Sequence, residues 1–224
     1  MLYGDDMKTT SFEIAPTTYC QARCYPCQRC ETGWTGKVRS DLKITHMPIA
    51  LFNNIVTQIF DTYQSNKITH IRLCGDAGDP MMHPDIEQFV KSVLVGCQHV
   101  GIHTNGGLRQ PAWYTHAGEA YGEHLYIMFG IDGTDHDTNW KYREGVDWQR
   151  AMDNMLAFKK AGGYTIWQFV IFPWNLHQIE AAAAIANDNS IKMKFIVNDK
   201  DGPGELTEFE RNIALQKIKE LGFI

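Results

Sequence analysis

Four of the six cysteines in this chain stand within eleven residues, "CQARCYPCQRC", from Cys20 to Cys30. Thiols crowded into one short stretch without a disulfide scaffold around them point to metal or redox chemistry. Cys20-x3-Cys24-x2-Cys27 offers three thiolates from a single loop, enough for three irons of a cubane cluster, with the fourth iron open to a substrate. Other groupings of the same residues remain open at this level. Cys24-x2-Cys27-x2-Cys30 has ferredoxin-like spacing, which would make an electron-transfer iron–sulfur protein. All four together would suit a structural zinc ion, and four unligated thiols are the plain alternative. A ferredoxin calls for a remote fourth cysteine followed by proline, and neither Cys74 nor Cys97 has one.

The elements that must position these thiols alternate along the chain. "SFEIA" (11–15) reads as a strand and, past the cysteine loop, "MPIALFNNIVTQIFDTYQ" (47–64) has helical spacing with Pro48 suited to a first turn. Strand and helix then alternate through "THIRLCG", "HPDIEQFVKSVLV", "HVGIHTN", a weaker helical stretch near 113–121, "HLYIMFGID", "DWQRAMDNMLAFKKAG", "YTIWQFVIF", "LHQIEAAAAIAND", "KMKFIVN" and "TEFERNIALQKIKELGF". Six such units predict an α/β fold with a parallel sheet, a partial (β/α)6 TIM-like barrel in one domain spanning 1–224, with a flat doubly wound sheet as the other possibility. In both, reactive groups belong to loops at the carboxyl ends of strands, and the cysteine loop (20–30) follows the first strand.

Composition narrows the function. The 224 residues carry 21 Lys and Arg against 26 Asp and Glu, for a formal net charge of −5, and the densest basic stretches, "GKVRSDLK" and "KMK", are short. That balance argues against nucleic acid as a partner, since a duplex demands clustered cations for its phosphates. No apolar run approaches the ~20 residues of a membrane span, and the first ten residues lack the regions of a signal peptide, so the expected location is cytoplasmic.

The cysteine loop "CQARCYPC" after a first strand resembles the CX3CX2C signature of radical S-adenosylmethionine (SAM) enzymes, and the likeness continues at later strand ends. "CGDAGDPMMHPDI" is similar to the family's glycine-rich motif, with Ala77, Gly78 and Asp79 in place of Gly-Gly-Glu; "HTNGG", "GIDGTDHDTNWKYREG" and "FPWN" fall where further family motifs fall. The nearest subgroup is the one whose members often carry a C-terminal SPASM or twitch domain, which is expected to be missing here. The sequence departs from the family's pattern at Pro26, the place before the third cysteine where an aromatic residue is usual and Tyr25 stands one place earlier, at Asp79 for glutamate and at Gly130 for serine.

The resemblance implies an enzyme with two cofactors, a [4Fe-4S] cluster on Cys20, Cys24 and Cys27 and SAM chelated to the open iron. Reductive cleavage of SAM would give methionine and a 5′-deoxyadenosyl radical that takes hydrogen from a peptide or small-molecule substrate, with a low-potential donor such as flavodoxin or ferredoxin supplying the electron. It also implies cofactor contacts for Tyr25 and Pro26 at the adenine, for Ala77, Gly78 and Asp79 at the methionyl ammonium, and for Thr104, Asn105 and Asp132 at ribose hydroxyls or the methionyl end. Arg143, with its planar guanidinium, is expected at the methionyl carboxylate. His83 and His103 read as structural, and Trp34 as a lid or substrate contact.

Overall fold

A computed structural model describes residues 10–24, 27–31, 37–63, 68–75, 77–199, 202 and 204–224. Tyr25, Pro26 and Trp34 lie outside the described residues. Six strands, β1 (Thr10–Ile14), β2 (Ile68–Leu73), β3 (His99–Thr104), β4 (Leu125–Gly130), β5 (Tyr164–Ile171) and β6 (Lys192–Val197), form one parallel sheet in the order β1-β2-β3-β4-β5-β6. The connections hold α1 (Ile49–Tyr63), α2 (Ile86–Leu94), α3 (Pro111–Tyr121), α4 (His136–Trp140), α5 (Trp148–Lys160) and α6 (Ile179–Asp188), and α7 (Glu208–Glu220) closes the fold.

A strand order that never reverses excludes the doubly wound sheet, which needs a switch point. Right-handed crossovers that all step the same way put the helices that link successive strands on one face, and this is the open, partial barrel expected of six units. Each strand therefore has a helix-covered face and an uncovered one. Leu73, Ile102, Phe129, Trp167 and Ile171 point to the covered face and are inaccessible to solvent. Phe89 and Val93 of α2 and Met155 and Phe158 of α5 meet them in one apolar core.

Local chemistry explains the element ends. Asp147 caps α5 by accepting from the Arg150 amide at 3.1 Å, and Thr207 and Glu210 form a reciprocal capping box at the start of α7. The weak helical stretch resolves as α3, opened by Pro111 and ended by Gly122 at φ 51°. Sequence patterning missed α4, whose five residues are too few to show a period; its signal was Asp135, which accepts from the Thr138 amide at 2.8 Å.

Candidate functional site

The loops following β1 to β4 converge at the carboxyl end of the sheet. The Asp79 amide donates to the Tyr19 carbonyl at 2.8 Å and the Arg23 amide to the Glu144 carbonyl at 2.9 Å, so the cysteine loop is stitched on one side to the β2 loop and on the other to the segment after α4. Contact with the β2 loop is close enough to require glycine. A Cβ on Gly78 would lie 2.0 Å from the Thr17 carbonyl oxygen. The space Gly78 leaves is thus taken by the chain itself. Gly78→Ala should displace the cysteine loop and cost on the order of 1–3 kcal/mol, read as a lower urea midpoint with an unchanged slope.

Asp79, Thr104 and Asn105 form one buried network. The Asp79 carboxylate accepts from Thr104 Oγ1 at 2.9 Å on both oxygens, from the Asn105 amide at 2.8 Å, from Asn105 Nδ2 at 2.6 Å and from the Met81 amide at 2.9 Å. Burial pushes its carboxyl up, while the bonds from Asn105, Met81 and Thr104 pull it back. Asn105 carries the network into the cysteine loop, since its Nδ2 lies 3.8 Å from Cys20 Sγ and its Oδ1 accepts from Gln21 Nε2 at 2.7 Å.

A second network stands after β4. Asp132 is fully buried, accepting from Arg143 Nε at 2.7 Å and from the Val170 amide at 2.6 Å. Its backbone is held by Asn139 Oδ1, which accepts from the Asp132 amide at 2.9 Å, and by Asn175 Nδ2, which donates to the Asp132 carbonyl at 2.9 Å. With its carboxylate turned to Arg143 and Val170, Asp132 positions the arginine. Gly130 makes room for that arginine, because a Cβ there would come within 2.7 Å of its Nη2. The guanidinium lies 4.7 Å from the Tyr142 ring centroid, and its Nη1 is 3.7 Å from Cys24 Sγ.

These contacts set the environment of the thiols. Burial and the Asp79 carboxylate push the Cys20 thiol up to about 12, and burial pushes Cys24 up to about 11 against the pull of Arg143. As free thiols both would be protonated and inert; metal coordination would ionise them. Among the described residues no group of three or more His, Cys, Asp or Glu gathers around a single-ion site. Cys20, Cys24 and Cys27 are the soft thiolate donors that an iron–sulfur cluster takes. Two guanidiniums, Arg143 beside Cys24 and Arg29 in the field of Cys20 and Cys30, place positive charge where a thiolate cluster would be anionic.

Arg29 was not legible as a site residue, although its place between Cys27 and Cys30 was a signal. It is 8% exposed, and its Nη1 donates to the Thr18 carbonyl and, at 3.2 Å, to the Ala77 carbonyl, locking the cysteine loop to the β2 loop. Cys30 is bridged in antiparallel pairing with Val38, and its amide donates to the Cys27 carbonyl at 2.9 Å. His83 engages both ring nitrogens, Nε2 with the Met47 carbonyl at 2.9 Å and Nδ1 with the Asp85 amide at 3.1 Å, in keeping with a structural role.

The sequence profile of the Radical SAM superfamily matches residues 14–186, well over half of the chain. No protein of curated function matches the sequence. Among solved structures, SuiB of Streptococcus suis bound to S-adenosylmethionine is similar with TM-score 0.70 and 16% identity over 96% of this chain and 48% of that one. Native anSMEcpe with bound AdoMet gives TM-score 0.72 and 14% identity over 94% of this chain and 60% of that one. Methylornithine synthase, PylB, gives TM-score 0.62 and 13% identity over 96% and 63%. At such identities the likeness is one of fold. The chain spans about half the length of SuiB, which is also known bound to its precursor peptide SuiA.

Proposed function

The chain belongs to the radical SAM superfamily, and from that premise we propose that residues 1–224 act as one radical SAM core domain that cleaves SAM reductively and uses the 5′-deoxyadenosyl radical to take hydrogen from a peptide or small-molecule substrate. One observation carries this reading: two thiols of the loop after β1 are met by residues of other strand ends and loops, Cys20 by Asn105 Nδ2 just past β3 at 3.8 Å and Cys24 by Arg143 Nη1 in the segment after α4 at 3.7 Å. Cys20, Cys24 and Cys27 would hold the [4Fe-4S] cluster, and SAM would complete the open iron. When bound, the cluster supplies the electron that breaks the sulfonium bond.

The chain's own part is to bind, orient and exclude water. Arg143, fixed by Asp132 through Nε, keeps Nη atoms for the methionyl carboxylate. Thr104 and Asn105 line the approach, and Asp79 holds them in place, with Ala77 and Gly78 shaping the loop below. Tyr142, in the field of Cys24, packs on Phe172 with ring centroids 4.6 Å apart and gives that side aromatic surface. Tyr25 and Pro26 remain the expected adenine contacts.

A peptide substrate draws support from SuiB and anSMEcpe, both known in peptide-bound form. Among the described residues no helix is long and apolar enough to cross a membrane. Flavodoxin or ferredoxin would serve as donor. The test is anaerobic reconstitution followed by reductant and SAM. Formation of 5′-deoxyadenosine is expected; a cluster that cycles electrons while SAM stays intact would return the protein to the electron-transfer alternative.

A further inference from the structure

The uncovered face of the sheet carries charge that the cluster site does not use. Alternation along the strands puts Glu13, His70, Arg72, His103, Lys192 and Lys194 on it, opposite the core-facing Ile71, Leu73, Ile102 and Met193. Among the strand residues of this face Glu13 is the single carboxylate, against Arg72, Lys192 and Lys194. The excess is positive in a chain whose formal charge is −5.

Two of these side chains have solvent-shielded nitrogens without a partner. Arg72 pairs with Glu13 through Nη2 at 3.2 Å, yet its Nε is buried and unbonded, and so is Nε2 of His103. Buried polar atoms in folded proteins are normally paired with protein, water or ligand, so two unpaired nitrogens side by side mark where this face calls for a polar partner. Burial, with Arg72 next to it, pushes the His103 imidazole down to about 4. Glu13, Lys194 and His70 also act on it, and at pH 7 the ring is neutral. Gly101 shapes the floor between them: a Cβ there would meet Tyr126 Cζ at 2.1 Å, so the Tyr126 ring lies across the bare backbone, 6.0 Å from His70 and 6.2 Å from His103.

His103 and Asn105 are two residues apart on one strand path, about 7 Å. A group seated at Arg72 and His103 is therefore next to the Asn105–Cys20 contact.

We propose that this face binds an anionic oxygen group of the substrate, a carboxylate or a phosphate, with Arg72 as the principal partner and Lys194 and His103 beside it. That the anion belongs to the substrate rests on the radical SAM reading; the anion site itself does not. Arg72 presents a planar fork suited to two oxygens, and its half-exposed pair with Glu13 is of the kind that holds weakly and yields to a better acceptor.

The test is equilibrium dialysis of the anaerobically reconstituted protein with radiolabelled inorganic phosphate and, separately, radiolabelled glutarate, at matched ionic strength in chloride. Saturable binding is expected for one of them, and which one binds tells a phosphorylated substrate from a carboxylated one. Arg72→Gln should weaken it at least tenfold and Lys194→Gln several-fold. Glu13→Gln should tighten it several-fold by removing the competing carboxylate, an outcome that general damage to the fold would not produce. No saturable binding, equal binding in Arg72→Gln, or weaker binding in Glu13→Gln would overturn the proposal. SAM cleavage is followed in the same preparations, so Arg72-dependent anion binding without 5′-deoxyadenosine supports the anion site and removes only the radical chemistry.

Discussion

Single alanine substitutions at Cys20, Cys24 and Cys27 are each expected to abolish cluster binding, while Cys30→Ala keeps it. Each lost thiolate would leave a second iron without a protein ligand, next to the one already reserved for SAM. The structure sharpens the contrast between the first two cysteines and the fourth. Cys20 and Cys24 are tied to the ends of β3 and β4 through Asn105 and Arg143, whereas Cys30 sits in a bridge to Val38. The measurement is iron and sulfide content with the cluster absorbance in four variants purified without oxygen. A Cys30→Ala protein without cluster and a Cys20→Ala protein with one would shift the ligand register to Cys24, Cys27 and Cys30 and undo the assignment.

The second large effect is at the Asp132–Arg143 pair. Asp132 has no solvent contact, so Arg143→Ala would leave a buried carboxylate with only the Val170 amide, at a cost on the order of 3–5 kcal/mol in stability. Arg143→Lys keeps the charge but loses the planar fork that pairs with Asp132 through Nε and offers two Nη donors to a carboxylate ligand. It should weaken SAM binding by about 1–2 kcal/mol. Denaturant unfolding reads the first effect, and titration of the cluster signal with SAM reads the second. Parent-like stability of Arg143→Ala would show that the pair does not hold the β4 loop, and unchanged SAM affinity in Arg143→Lys would remove the arginine from the methionyl end.

The sequence by itself determined the order of elements and the loop that carries the chemistry. Hydrophobic periodicity is local, so six β/α units could be read from stretches such as "YTIWQFVIF" and "LHQIEAAAAIAND" without knowing what they pack on, and four cysteines in one loop declare themselves by spacing alone. Tertiary structure decided how the polar residues are spent. Whether a carboxylate is free for a ligand depends on partners far along the chain: Asp79 takes its donors from Thr104 and Asn105, and Asp132 from Arg143 and the Val170 amide. Spacing could not show that Gly78 yields to Thr17, that Gly130 yields to Arg143, or that Arg29 locks two loops together. Nor could it tell a structural His103 from one on an uncovered, positively charged face, because strand alternation says which residues share a face, while strand order and crossover hand decide which face the helices leave open.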